Sequence, residues 1–89
     1  MSQKEWVSDY QGHQIRVVNT WLGGAKLYIN GECRETNNSM FSKSTTPALS
    51  ARIEAGKPES PLIEVFVKAL LTVQARICAN GKQIGGDVI

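Results

Sequence analysis

The sequence predicts an all-β fold, either a small antiparallel β-sandwich or a strongly curled meander of seven or eight strands, in one domain over residues 1–89. First, an apolar-alternating run ends in Asn-Gly at Asn30-Gly31 and again, 50 positions later, at Asn80-Gly81. Asn-Gly favours two-residue type I′ hairpin turns, because both central residues need positive φ. Second, alternation of apolar residues recurs through most of the chain, as expected for strands with one buried face.

The first three strands follow from alternation and turn residues. We expect a short strand at residues 5–7, a turn at 9–12 and a longer strand at 14–22. Both faces of this second strand carry apolar residues, which indicates a central or doubly covered strand. Gly23-Gly24 predicts a reversal into the third strand, residues 25–29.

The first Asn-Gly turn predicts a cross-strand register. A type I′ turn at Asn30-Gly31 places Ile29 opposite Glu32 and Tyr28 opposite Cys33. Continued without interruption, this register would pair Lys26 with Glu35, an opposite-charge pair that contributes roughly 0.2–1 kcal/mol.

The middle of the chain predicts a loop and one half-exposed strand. Residues 36–47 are rich in Asn, Ser and Thr, and Met40 and Phe41 are their only large apolar side chains. Residues 48–54 regain alternation, with Leu49, Ala51 and Ile53 on one face. Residues 56–61 are predicted to be a connection.

Residues 62–79 fit two structures. Ser60-Pro61 forms a good helix start and polar residues recur every four positions from Glu64, which favours one long helix. Against it, Val- and Ile-rich alternation with period two favours two strands, with the reversal near residues 69–71. We predict strands. Residues 82–84 are then expected to pair back through the second Asn-Gly turn, and residues 85–89 to form a fraying tail.

Composition and charge exclude several classes of protein. The net charge is only +2, and the ten basic residues are dispersed among eight acidic ones. No stripe of basic side chains that would bind nucleic acid is therefore predicted. Charged residues interrupt the longest apolar segment, which excludes a membrane helix there. The first residues lack an apolar signal region, and Cys33 and Cys78 lack metal or disulfide spacing. We expect reduced, core or near-core thiols in a cytoplasmic protein.

Several runs carry a resemblance to known proteins. They are Trp6-Val7, Ile15-Arg16-Val17, Leu27-Tyr28-Ile29-Asn30-Gly31-Glu32, Ile63-Glu64-Val65 and Asn80-Gly81, with Gly12, Trp21, Gly24-Ala25, Leu49, Ile53 and Ile77 between them. Together they resemble small all-β bacterial proteins of unknown function, some carried as integron gene cassettes. More distantly, the hairpin pattern is similar to the β-sandwich of Fas apoptosis inhibitory molecules. The resemblance implies a fold and a bacterial origin, and no site residues.

No catalytic constellation is evident, so no enzyme, metal site or cofactor is predicted. His13, the single histidine, follows a turn glycine without a nucleophile at recognisable spacing. The scattered Glu residues are expected to be solvated partners of Lys and Arg. An enzymatic function would become a serious hypothesis only if folding placed His13 within hydrogen-bond distance of Cys33 or Cys78.

The preferred function is a non-enzymatic interaction module that forms a homo-oligomer, without nucleic acid or membrane partners. A strand near Phe66 and Leu70 is apolar on both faces, which requires a second layer or another chain. We expect Phe66, Leu70 and Tyr28 to contribute to the contact surface. The alternative is a small-ligand-binding protein with an aromatic-lined cavity between sheets, where Arg16 and Trp21 supply the polar groups. The identity of a partner or ligand is not predicted.

Overall fold

Eight β-strands form two four-stranded antiparallel sheets in a computed structural model that describes residues 3–20, 24–38, 45–69 and 72–89. The first sheet contains β1 (Gln3–Tyr10), β2 (His13–Thr20), β3 (Gly24–Ile29) and β4 (Glu32–Asn37). The second contains β5 (Leu49–Arg52), β6 (Leu62–Ala69), β7 (Val73–Ala79) and β8 (Lys82–Gly86). In each sheet the strands neighbour one another in chain order. The predicted all-β fold is confirmed.

The core lies between the sheets and follows the alternation of the strands. Each central strand buries every second residue, and both sheets contribute to one cluster, formed by Ile15, Val17, Ala25, Leu27, Ile29, Leu49, Ile53, Ile63, Val65, Val67, Ala75, Ile77 and Ala79. Trp6, Tyr10 and Ile84 pack against it while partly exposed. Burial of these β-branched and aliphatic side chains is the main term stabilising so small a domain.

Residues 62–69 and 73–79 are strands, so the prediction of strands is confirmed and the helix is wrong. β6 pairs antiparallel with β7 from Ile63 opposite Ala79 to Ala69 opposite Val73. Ile63, Val65 and Val67 all enter the core. Alternation decides the structure because it places these β-branched residues on one face. The predicted reversal includes residues 70 and 71, which lie outside the described residues.

Three two-residue turns connect hairpin strands with positive φ. Gln11, Asn30 and Asn80 have φ of 51°, 53° and 50°, and a glycine with positive φ follows each. These values match the type I′ turns predicted for the two Asn-Gly pairs. The turn after β1 contains only Gln11 and Gly12, whereas the predicted turn spans residues 9–12. β1 also extends on both sides beyond the predicted strand at residues 5–7.

Both Asn side chains also bind the neighbouring strand. Asn30 Oδ1 accepts a hydrogen bond of 2.9 Å from the Gln14 amide, and the Asn30 amide donates one of 2.8 Å to the Gln14 carbonyl. Asn80 repeats this with Leu62, at 2.9 Å for both bonds. Hydrogen bonds thereby join the β3–β4 turn to β2 and the β7–β8 turn to β6.

A β-bulge changes the register predicted for the first Asn-Gly hairpin. Ile29 lies opposite Glu32 and Tyr28 opposite Cys33, as predicted, but Leu27 lies opposite Glu35. The predicted pair of Lys26 with Glu35 is therefore wrong, since one extra residue shifts the partner strand. The second hairpin has a bulge at the equivalent place, between Ile77 and Cys78.

The two sheets are structural repeats of each other. The hairpins β3–β4 and β7–β8 correspond at an offset of 50 residues, including turn and bulge. The bridges to Gln14 and Leu62 show that β2 and β6 correspond at an offset of 48 instead. Ile15 and Val17 are therefore equivalent to Ile63 and Val65.

The edge between β4 and β5 is closed by side chains that bind main-chain groups. Asn37 Nδ2 donates a hydrogen bond of 2.7 Å to the Ala48 carbonyl, and an Arg34 guanidinium nitrogen donates one of 3.0 Å to the Ile53 carbonyl. Glu35 accepts a hydrogen bond from the Ser50 amide. The bulge presents Arg34 and Glu35 in succession, which lets both reach this edge.

The edge between β1 and β8 is closed by a hydrogen bond between two side chains and by another from a side chain to a main-chain group. Trp6 Nε1 donates a hydrogen bond of 3.0 Å to Asp87 Oδ2, and Ser8 Oγ donates one of 2.7 Å to the Ile84 carbonyl. The Asp87 amide also binds the Ala75 carbonyl. The prediction of a fraying tail is wrong at residues 85–87, because β8 and Asp87 extend the pairing with β7.

Candidate functional site

The outer faces of the two sheets carry the residues predicted to bind a ligand or a partner. We call the solvent-facing side of the first sheet around Arg16 the Arg16 face. We call the corresponding side of the second sheet, formed by Glu64, Phe66 and Lys68 on β6 with Gln74, Arg76 and Cys78 on β7, the Phe66 face. Both follow from alternation, because the residues between them enter the core.

On the Arg16 face, a row of side chains crosses all four strands. Val7 lies opposite Arg16, Arg16 opposite Tyr28, and Tyr28 opposite Cys33. The Arg16 guanidinium carbon lies 4.3 Å from the Tyr28 ring centroid, and Arg16 forms an ion pair of 2.6 Å with Glu5. Arg16 is thus engaged by both an aromatic face and a carboxylate.

This placement removes Arg16 from the space between the sheets. Its neighbours Ile15 and Val17 are fully buried in the core, so Arg16 projects to the opposite side. The predicted ligand cavity therefore lacks Arg16 as a polar group. Its second predicted residue, Trp21, lies outside the described residues.

On the Phe66 face, a second arginine lies over a second aromatic ring. Arg76 lies opposite Phe66 in the ladder, and its guanidinium carbon is 4.5 Å from the ring centroid. Arg76 also donates a hydrogen bond of 3.2 Å to the Ile89 carbonyl. Its Nε is buried without a hydrogen-bond partner, which no other side chain in the described part of the molecule shows. The polar groups of this face are less completely satisfied than those of the Arg16 face.

Phe66 is half-buried on this face, while its neighbours on β6 point into the core. Leu62, further along the same side of β6, is also half-buried, and Cys78 on β7 is buried at 5% exposure. A large aromatic ring thus lies on the solvent side of the sheet, with a stacked guanidinium beside it.

Glu64 and Lys68 flank Phe66 on β6 and take part in no ion pair with another described residue. The ion pairs of the described chain join Glu5 with Arg16, Glu32 with Arg34, and Glu54 with Lys57. The cross-strand neighbours of Glu64 are Ser50 and Cys78, and that of Lys68 is Gln74. The side chains directly opposite both charges are therefore uncharged, and Arg76, opposite Phe66, lies diagonal to each of them.

The structure does not bring the predicted contact residues onto one surface. Tyr28 lies on the Arg16 face and Phe66 on the Phe66 face, with the core between them. The third residue, Leu70, lies outside the described residues. Sequence reasoning did not single out Glu64, Lys68 or Arg76 for this surface. The spacing Glu64-x-Phe66-x-Lys68 is a signal that could have identified the first two, since it places all three on one side of a strand.

The side chains considered for catalysis lie apart. His13 Nδ1 lies 2.9 Å from Asn30 Nδ2, while Cys33 Sγ lies near the Glu35 carbonyl and the Thr36 hydroxyl. Cys78 is buried as predicted, but Cys33 is exposed, which corrects the prediction that both thiols are near the core. Alternation accounts for Cys33, since it lies opposite the outward-facing Tyr28.

The described residues show neither a metal-binding cluster nor a membrane-spanning helix. They contain no group of three or more His, Cys, Asp or Glu side chains placed to hold a metal ion. No helix with the length and apolar character of a membrane span occurs in residues 3–20, 24–38, 45–69 or 72–89.

Comparison with protein-family models, with curated proteins and with solved structures finds no match to this chain. The resemblance to integron-cassette proteins and to Fas apoptosis inhibitory molecules therefore stays a prediction.

Proposed function

We propose that this protein is a non-enzymatic interaction module that self-associates through the Phe66 face. The observation that carries the proposal is the position of Phe66, a large aromatic side chain on the solvent side of a central strand. Aromatic side chains bury a large apolar area and are enriched at the centres of protein interfaces. The sandwich already covers the other side of β6, so only the outer side is available to another chain.

Pairing through exposed strand edges is the less favoured route to self-association. A free edge offers unpaired amides and carbonyls to another chain. Here, main-chain groups at the two junctions between the sheets bind Glu35, Arg34, Asn37, Ser8 and Lys4. A second chain would have to displace these hydrogen bonds.

The Arg16 face is also the less favoured surface. Its arginine already binds Glu5 and stacks on Tyr28, so a partner would gain little from it. The Phe66 face instead holds two charges, Glu64 and Lys68, and a buried guanidinium nitrogen that find no partner among the described residues. Groups of this kind favour a surface that becomes complete on association.

The proposed setting is the cytoplasm of a bacterium. Two free cysteines, one exposed on the first sheet and one buried on the second, support a reducing compartment. The resemblance to bacterial cassette proteins supports the source.

Light scattering after size exclusion tests the proposal, with Phe66→Ser and the matched control Tyr28→Ser. We expect a dimer for the wild type at tens of micromolar. Phe66→Ser should weaken association by about 2 kcal/mol or more, as truncation of a central aromatic anchor does. Tyr28→Ser removes an aromatic from the opposite face and should leave association unchanged.

Circular dichroism of each variant checks that the fold is retained. A strictly monomeric wild type at these concentrations would overturn the proposal. So would a Tyr28→Ser variant that loses association while Phe66→Ser retains it.

A further inference from the structure

We infer that the partner of the Phe66 face is a second copy of the same chain, placed so that the two β6 strands run antiparallel about a two-fold axis through Phe66. This inference rests on the proposed function and specifies its geometry. The charge pattern of β6 carries it, because Glu64 and Lys68 lie at equal distances on either side of Phe66. With a rise of about 3.3 Å per residue, each lies about 7 Å from Phe66 along the strand.

A two-fold axis at Phe66 makes this pattern complementary to itself. Rotation by half a turn brings Glu64 of one copy over Lys68 of the other, and the reverse pair forms at the same time. The two Phe66 rings meet at the axis. A parallel arrangement would instead place Glu64 over Glu64 and Lys68 over Lys68, so the charges select the antiparallel one.

Two kinds of neighbour surround the Glu64 and Lys68 charges. Ser50, Cys78 and Gln74 lie directly opposite them and are uncharged, whereas Arg76 lies diagonal to both. Arg76 lies on β7, one strand spacing of about 4.8 Å to one side of β6. The two-fold axis lies in the interface and perpendicular to β6, so it places Arg76 of the second copy on the same side as Arg76 of the first. The two guanidinium groups therefore face each other beside the axis, as one repulsive pair against the two attractive pairs of Glu64 with Lys68.

The free charges give the inference its second support. Glu64 is half-buried and Lys68 is exposed, and neither forms an ion pair with another described residue. Charged side chains on a half-apolar face usually find a partner when the face is covered. The second copy supplies one of opposite sign for each.

Charge reversal separates this geometry from other dimers. Glu64→Lys alone creates two repulsive pairs in the homodimer, and Lys68→Glu alone does the same with the opposite sign. We expect each to raise the dimer dissociation constant about tenfold or more at low salt. A mixture of the two variants restores both attractive pairs, so heterodimers should form in preference to either homodimer.

Native mass spectrometry with one variant isotope-labelled counts the three dimers in the mixture, and sedimentation equilibrium measures the dissociation constants. The double variant, Glu64→Lys with Lys68→Glu, should regain wild-type association. Lys26→Glu, an exposed charge reversal on the Arg16 face, is the matched control and should leave association unchanged.

A dimeric wild type with a statistical mixture of the three dimers, or single variants that associate like the wild type, would overturn the antiparallel β6 arrangement while self-association stands. A monomeric wild type would overturn both. Weaker association of each single variant, preferential heterodimers and rescue by the double variant would together establish the arrangement.

Discussion

Asn30 and Asn80 each stabilise their hairpin turn in two ways. Their backbones adopt positive φ, which Gly would also do. Their side-chain oxygens accept a hydrogen bond from the adjacent strand outside the hairpin, β2 for Asn30 and β6 for Asn80. Gln11 occupies the same position in the β1–β2 turn, where its side chain lies near Tyr10 of its own hairpin. The second contribution explains the choice of Asn over Gly at these two turns.

Replacement of Asn80 by Gly isolates that second contribution. The turn conformation is retained, and the Leu62 amide loses its side-chain acceptor. We expect the free energy of unfolding to fall by about 1 kcal/mol, the usual net value of such a bond. Gln11→Gly is the matched control and should change stability by less than half as much. Urea denaturation measures both, and equal losses in the two variants would contradict this account.

At the scale of elements, the bulges in β4 and β8 connect each hairpin to the opposite sheet. The bulge in β4 presents Glu35 to β5 and Arg34 to Ile53, just after β5 ends. The bulge in β8 presents Ile84 to the core and to β1. In addition, one carboxylate oxygen of Asp87 accepts hydrogen bonds from the Trp6 indole and from the Ala75 amide, both at 3.0 Å. Asp87 therefore joins β1 and β7 just after β8 ends.

Loss of the Asp87 carboxylate should open this junction. Asp87→Ala removes the acceptor of two part-buried donors, and we expect a loss of about 2 kcal/mol in unfolding free energy. Trp6→Phe removes the indole donor and part of the ring that packs against the core, and it leaves the bond from the Ala75 amide to Asp87 in place. Tryptophan fluorescence of the Asp87 variant and thermal denaturation of both report the effect. In a double-mutant cycle, strictly additive losses would show that Trp6 and Asp87 do not interact.

At the scale of the whole molecule, two similar four-stranded meanders share one core. Val17 in β2 and Val65 in β6 occupy equivalent positions, and both are fully buried. Because residues from both sheets pack in one cluster, neither sheet can retain its buried face when the other unfolds.

Val17→Ala and Val65→Ala should therefore have matched effects. Each deletes two methyl groups from the shared core, and we expect a loss of about 2 kcal/mol or more for either. Unfolding should remain a single transition when it is followed by circular dichroism and by tryptophan fluorescence. Two separated transitions in either variant would show that the sheets fold independently.

Much of the fold could be predicted from local pattern. The two Asn-Gly turns, the strands at residues 62–69 and 73–79 and the first two pairs of the β3–β4 hairpin are all confirmed. The candidate site was predicted only in part, since Phe66 was singled out but Arg76, Glu64 and Lys68 were not. The sequence analysis predicts Tyr28 and Phe66 on one contact surface. Alternation shows on which side of its own strand a residue lies, but it does not show to which of the two sheets that strand belongs.

By itself, the sequence determined most of the extended segments, the two Asn-Gly turns and the buried face of the central strands. These properties depend on backbone preferences and on side-chain period within a few residues. Tertiary structure alone decided the bulged register, the closure of the edges and the separation of Tyr28 from Phe66. These depend on contacts between distant residues, such as Trp6 and Asp87, which are 81 positions apart. Such contacts form only once the two sheets pack, so no local pattern encodes them.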